Sequence, residues 1–331
     1  MTPISTIGVA GAGAWGIALA NVAARAGRRV LLWGRGAQAM RDLALTRRSA
    51  YLPGVALDDA IAVTADLAAL APCEAILVVA PAQATREVAG QLARATPTGA
   101  TLVACAKGIE RGSDLFMTQV LAQAAPHHQH AILSGPSFAS DVAAGLPTAV
   151  TLACANEPLA RALALALNST SFRVYHSRDV RGVEIGGAAK NVLAIASGIA
   201  AGLGLGPSAG AALIARGFAE LSRFGAAFGA RPQTLMGLSG LGDLVLTCTS
   251  PQSRNFAFGV ALGRGRSPAE AGAGKLVEGA TTADALLEMA RAHGIEMPIA
   301  AAVAAVIKGD QDVRAAVATL LARPAKAEGE G

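Results

Sequence analysis

Three glycines near the start, Gly11, Gly13 and Gly16, follow a short apolar run and precede an alanine-rich helical pattern. Their G-x-G-x-x-G spacing suits the grip of a dinucleotide. The first glycine permits a tight reversal, and the second lets backbone approach a pyrophosphate. The third lets the helix pack closely on the strand, and the helix start then aims unpaired N–H groups at the phosphates. A chain with 38 glycines produces such spacings by chance, so the flanking strand and helix decide the reading. A second strand pattern runs into Trp33-Gly34-Arg35. An acidic residue about twenty positions after the first glycine would hold the ribose hydroxyls of NAD, and none stands there. Arg35 instead offers a planar fork to a 2′-phosphate, so NADPH is expected to serve at least as well as NADH. The plainer alternative is a surface arginine stacked on adenine.

Lys107 follows the wholly uncharged run 101–106. In doubly wound sheets ligands bind beyond the carboxyl ends of the strands. Those ends here carry residues 11–16, 33–35, 80–81, 106–108 and 134–137. Lys107 is therefore read at the ligand, against the alternative of an ordinary lysine at a strand exit. Metal chemistry finds little support. Cys73, Cys105, Cys154 and Cys248 are scattered with no C-x-x-C pair, as reduced and mostly buried cysteines are. His127, His128 and His130 follow Pro126 and read as a solvated loop with no acidic or cysteine partner.

The elements that must position these residues fall into two sets. Strand patterns at residues 7–10, 30–33, 61–64, 75–80, 101–106, 131–134, 148–154 and 172–175 alternate with helical ones at 17–26, 40–47, 85–95, 115–123 and 159–167. Buried strands separated by helices mean a mainly parallel, doubly wound α/β sheet of the Rossmann type. Beyond residue 178 strand patterns almost vanish, and 183–201, 209–228, 256–262, 283–293 and 298–307 read as helices. The expected organisation is a dinucleotide-binding domain over residues 1–177, an all-helical substrate and catalytic domain over 178–322, and a flexible tail over 323–331.

The 331 residues are 53% hydrophobic but only 4% aromatic, so small aliphatic side chains must fill the cores. A net charge of +5 is too diffuse to mark a nucleic-acid surface, and no basic run interleaved with aromatics occurs. No signal-peptide order is visible at the start. Residues 191–215 carry no charge, but glycines interrupt them, and the helical pieces 192–201 and 211–219 are each shorter than the ~20 apolar residues a membrane span needs. The chain is thus expected in the cytoplasm with no membrane span.

Three further blocks go beyond a generic dinucleotide fold: Ser134-Gly-Pro-Ser-Phe-Ala139, Glu184-Ile-Gly-Gly-Ala-Ala-Lys-Asn191, and Gly240-Leu-Gly-Asp-Leu-Val-Leu-Thr-Cys248 running on to Gln252-Ser-Arg-Asn255. With Gly11-Ala-Gly-Ala-Trp-Gly16 and Leu32-Trp-Gly-Arg35, the chain closely resembles the bacterial-type NAD(P)-dependent glycerol-3-phosphate dehydrogenases, to about residue 321. The resemblance implies reversible reduction of dihydroxyacetone phosphate to sn-glycerol 3-phosphate with NADPH or NADH, feeding phospholipid synthesis. It implies Lys190 as general acid/base, with Lys107, Asp243 and Thr247 beside it in the active site. Lys107, Gly135, Ser137, Lys190, Asp243, Ser253, Arg254 and Asn255 match substrate positions. Gly11, Gly13, Ala14, Trp15, Gly16, Arg35, Lys107, Ala139, Arg254, Leu276 and Glu278 match cofactor positions. Leu276 stands where valine is common and Ala14 where serine is frequent, which weakens those two contacts. The small-molecule substrate is the expected partner, and a homodimer is left open.

The chemistry of the residues agrees with these roles. Lys190 can give a proton to an alkoxide in reduction and take one in oxidation. A free lysine titrates near ~10.4, so base catalysis near neutrality needs a lowered pKa. Burial and Lys107 would lower it, while a nearby Asp243 would oppose that and hold the amine in place. The alternative is a lysine that snorkels out of a buried helix. Ser253, Arg254 and Asn255 open a helical pattern and make a seat for a phosphate. The alternative there is plain capping by Ser253 with Arg254 in water. Two other functions compete. In related hydroxyacid dehydrogenases the asparagine follows the lysine at a longer interval, whereas Lys190 and Asn191 are adjacent. A non-catalytic NAD(P)-binding sensor would have no use for Lys107, Lys190, Asp243 and Arg254 together.

Overall fold

The computed structural model describes residues 3–274 and 276–324, and the part of the expected tail from residue 325 on lies outside them. The chain divides into two compact units. One comprises Met1–Lys107 and Leu115–Val183, the other Gly108–Asp114 and Glu184–Gly331.

The first unit runs β1 (Thr6–Ala10), α1 (Ala14–Arg25), β2 (Arg29–Trp33), α2 (Ala37–Thr46), β3 (Ala62–Thr64), β4 (Ala75–Val78), α3 (Thr85–Ala95), β5 (Thr101–Ala104), α4 (Met117–Ala124), β6 (Gln129–Ser134), α5 (Ala139–Ala143), β7 (Thr148–Ala153), α6 (Glu157–Leu167) and β8 (Phe172–Ser177). The strands form one sheet in the order β3-β2-β1-β4-β5-β6-β7-β8. Every neighbouring pair is parallel except β6 with β7. Successive side chains leave a strand on opposite faces, and here both faces are buried. Leu77 and Val103 join one apolar cluster while Ile76 and Leu102 join another. That is why the strands read as unbroken apolar runs, and the doubly wound reading holds.

The histidine run departs from its expected place. His128 is buried rather than solvated, with Nε2 3.0 Å from Thr96 Oγ1. Thr96 gives its own proton to the Leu92 carbonyl at 2.7 Å, so the ring must donate to it. Burial, with His130 and His127 nearby, lowers the His128 pKa.

The second unit is helical: α7 (Val180–Gly202, which begins in the last residues of the first unit), α8 (Gly206–Ala227), α9 (Pro232–Leu235), α10 (Asp243–Thr249), α11 (Arg254–Gly263), α12 (Pro268–Gly272), α13 (Glu278–Ala292), α14 (Pro298–Lys308) and α15 (Val313–Leu321). A π-helical turn, Leu238–Gly242, leads directly into α10. The charge-free stretch breaks at residues 203–205, inside the gap the sequence reading left, but the helices on either side run longer than the pieces read there. Its first piece belongs to one 23-residue helix, long and apolar enough to cross a membrane. Of its apolar window, 89% is buried inside the protein, as in a core helix.

Small residues set how closely the helices of this unit approach. Gly198 and Gly202 on α7 face Gly259 and Gly263 on α11. A Cβ on Gly198 would lie 3.0 Å from the Gly259 Cα, and one on Gly202 would lie 3.0 Å from the Gly263 Cα. The two backbones touch, and no side chain larger than hydrogen fits between them.

Candidate active site

In the first unit the expected ligand-binding residues sit at the carboxyl ends of the strands. Gly11 follows β1 with φ +135°, a conformation side chains disfavour. A Cβ on Gly16 would collide with the Gly11 carbonyl, so the helix rests directly on the turn. Gly13 differs, because a Cβ there would meet nothing within 4 Å. Gly13 is the N-cap of α1 and supplies no side-chain cap, and the first turn, with Ala14 and Trp15, carries no acid. The opening N–H groups of α1 are thus left to a ligand, and an anion is what they suit. The turn therefore fits a dinucleotide pyrophosphate. At the end of β2, Arg35 is exposed.

Lys107 and the β6 end form a second group. Lys107 Nζ donates to the Gly135 carbonyl at 2.9 Å, and Ser137 Oγ donates to the same oxygen at 2.9 Å. Gly135 has φ +148°, and a Cβ on it would lie 2.8 Å from the Val150 Cα. Ala139 opens α5 next to it. Lys107 is thus half-buried and tied to the strand end, not a free surface lysine.

In the second unit Lys190 is 6% exposed on α7. Its Nζ donates to Asp243 Oδ1 at 2.6 Å and to Thr247 Oγ1 at 2.7 Å. Thr247 spends its own proton on the Asp243 backbone carbonyl at 2.6 Å, so it receives from the ammonium. Asp243 and Thr247 lie one helical turn apart on α10, which puts both acceptors on one face. The snorkelling alternative fails, because the amine is held inside. Cys248, next along α10, is also buried, and burial foremost pushes its thiol up to about 11. It stays a neutral thiol beside the lysine at physiological pH.

The π-turn brings Asp243 to this point. A Cβ on Gly240 would strike the Leu235 backbone, and one on Gly186 would strike the Ser239 carbonyl. Gly186 lies one helical turn before Lys190, so the π-turn lies directly on α7 beside the lysine. Both glycines stand inside quoted sequence blocks, yet nothing in the spacing pairs them. Single π-turns are frequent at functional sites.

Ser253 is the N-cap of α11, its Oγ accepting from the Phe256 N–H at 3.2 Å, and Arg254 is exposed. Ser253 therefore caps, as the plainer alternative expects. Asn255, by contrast, is buried and bonded within the protein: Nδ2 donates to Asn191 Oδ1 at 3.0 Å, and Oδ1 accepts from the Gly279 N–H at 2.9 Å. Leu276 is 39% exposed and Glu278 opens α13.

Comparison with known proteins settles the family. Residues 6–160 match the N-terminal and residues 179–318 the C-terminal family model of NAD-dependent glycerol-3-phosphate dehydrogenase. The chain belongs to that family. It is 61% identical over 330 residues to a glycerol-3-phosphate dehydrogenase [NAD(P)+] of Azorhizobium caulinodans, covering 99% of this chain and 100% of that one. It is 60% identical over 328 residues to the Rhodopseudomonas palustris (strain BisA53) enzyme of the same name, with the same coverage. The crystal structure of the Coxiella burnetii glycerol-3-phosphate dehydrogenase matches with a TM-score of 0.92 at 40% identity, over 97% of this chain and 99% of that chain. The chain is therefore an NAD(P)-dependent oxidoreductase.

Proposed function

We propose that this dehydrogenase reduces dihydroxyacetone phosphate to sn-glycerol 3-phosphate, reversibly, with Lys190 as general acid/base. The observation that carries the reading is the buried Lys190 ammonium, held by Asp243 and Thr247. Bound NADPH or NADH supplies the hydride. Lys190 delivers a proton to the oxygen that becomes the C2 hydroxyl and takes it back in the oxidative direction. Asp243 keeps the amine in place, and Thr247 fixes its direction. Lys107, with Gly135 and Ser137, supplies a further cation and donors toward the substrate. Arg254 and the opening N–H groups of α11 supply the phosphate grip. The glycine turn, with Ala14 and Trp15, holds the pyrophosphate, and Ala139, Arg254, Leu276 and Glu278 complete the cofactor contacts. Arg35 favours NADPH by pairing with its 2′-phosphate. The product supplies glycerophospholipid synthesis in the cytoplasm.

The test is NADPH oxidation on addition of dihydroxyacetone phosphate, repeated with NADH and with 2-hydroxyacids in the reverse direction. Turnover with dihydroxyacetone phosphate and none with hydroxyacids is expected. Hydroxyacid activity alone would overturn the substrate, and about tenfold better kcat/KM with NADH would overturn the role of Arg35.

A further inference from the structure

Asn191 follows the catalytic lysine, and no role falls to it in the reaction as described. It is 5% exposed, and its Oδ1 receives the Asn255 Nδ2. The direction of that bond is not free. At the far end stands the backbone N–H of Gly279, which can only donate. The atom of Asn255 facing it must be Oδ1, so the Asn255 nitrogen faces Asn191 and the Asn191 oxygen faces back. A backbone group that cannot turn over thus fixes the orientation of two buried carboxamides in series.

The same three residues also meet sterically. A Cβ on Gly279 would lie 2.5 Å from the Asn191 carbonyl and 2.9 Å from Asn255 Oδ1. The start of α13 is therefore pressed onto the backbone of α7 one residue past Lys190. Its own N-cap, Val277, has no side chain able to cap it, and Asn255 reaches over from α11 to satisfy an opening N–H. The glycine contacts between α7 and α11 hold the lower part of α11 against the same helix.

We propose that Asn191 is a positioning residue. Its carboxamide, held in one orientation by Asn255 and Gly279, sets the starts of α11 and α13 against the Lys190 turn. It governs how tightly substrate phosphate and cofactor are held rather than the proton transfer. The proposal rests on the reading that Arg254 and Glu278, which flank Asn255 and Gly279 in sequence, contact those ligands.

The test compares N191L, which keeps the volume and loses the acceptor, with N191D, which keeps an oxygen facing Asn255. Three readouts are needed: hydrogen exchange of the Gly279 amide, NADPH affinity by fluorescence titration, and steady-state kinetics with dihydroxyacetone phosphate. In N191L the Gly279 amide should exchange faster. The NADPH Kd and the KM for dihydroxyacetone phosphate should each rise about tenfold, the size of one buried donor left unpaired, while kcat stays near that of the parent. In N191D the Gly279 amide should stay protected. Exchange of the β1 amides should match the parent in both variants, which separates a loosened relay from general unfolding; N191D carries the comparison if N191L fails to fold. Unchanged Gly279 exchange and unchanged affinities in N191L, or loss of Gly279 protection in N191D, would overturn the proposal. So would a fall in kcat with both affinities intact, since Asn191 would then act on the reacting atoms. If the parent fails to turn over dihydroxyacetone phosphate, the substrate assignment falls, and Gly279 exchange with NADPH affinity still decides the relay.

Discussion

Lys190 is held at two atoms of different kinds, and the two can be separated. Asp243 supplies a charge, and Thr247 supplies only an oxygen. D243N leaves a buried ammonium without its counter-charge, and breaking a buried pair in that way costs about 3–5 kcal/mol. T247V removes one acceptor and should cost about 1–3 kcal/mol. Urea denaturation of the two variants should order them so; equal losses would mean that hydrogen bonding and not charge fixes the lysine. K190A should bind NADPH as the parent does while turnover falls about 10²–10⁴-fold, the usual share of a general acid/base. Stopped-flow NADPH oxidation beside a fluorescence titration reads both, and unchanged turnover would remove Lys190 from the chemistry. Lys190, Asp243 and Thr247 were legible in the sequence because their types and blocks are rare. Asn191 and Gly186 stand inside the same blocks yet were not, because a residue's partner is invisible in spacing: Asn191 meets a side chain 64 positions away.

At the scale of the element, α13 and α14 are among the helices of the second unit that begin on residues unable to cap them. Val277 precedes α13 and Met297 precedes α14, and neither offers a side-chain acceptor. Each is capped from another helix: α13 by Asn255, and α14 by Glu220 of α8, which accepts from the Ile299 N–H at 2.7 Å and the Ala300 N–H at 3.3 Å. Burial pushes the Glu220 carboxyl up to about 7, the two N–H bonds opposing it only in part. Between its ordinary value near 4.5 and about 7 the folded protein holds a proton that the unfolded chain has released. Stability from this group is therefore full below pH 4.5, falls as pH rises through 7, and is level above. The span is about 3 kcal/mol. E220Q, neutral at every pH, should match the parent near pH 4.5 and exceed it at pH 8. Urea midpoints across that range check this, and a variant less stable than the parent at pH 8 would show that the charged carboxylate is the better cap. Periodicity found the long helices to within a few residues, since their apolar faces repeat. It gave no sign of the π-turn, of α12 or of α15. The π-turn is a single turn with no period to read, whereas α12 and α15 do carry local start signals, the Ser267–Glu270 capping box with Pro268 and the Asp312 cap, which a reading by apolar period alone passes over.

For the whole molecule, the strands end with β8 and only helices follow, and that order of sheet then helices was plain in the sequence. That Gly108–Asp114 groups with the helical unit was not, because seven residues after a strand look like any loop. The residues proposed for the cofactor come from both units: the glycine turn, Arg35 and Ala139 from the first, and Arg254, Leu276 and Glu278 from the second. Ligand linkage tests this without turnover. NADPH at about 100 times its Kd should stabilise the folded chain by about 2.7 kcal/mol, whichever residues it touches. Hydrogen exchange then shows where. Amides of the glycine turn and α1 should slow because their opening N–H groups are left for a ligand. Amides at the starts of α11 and α13 should slow as well if Arg254 and Glu278 hold the cofactor. Slowing confined to residues 11–35 and 107–139 would remove Arg254, Leu276 and Glu278 from the cofactor set. It would leave α11 to the substrate phosphate alone, which titration with sn-glycerol 3-phosphate in place of NADPH would then show as protection at residues 253–256.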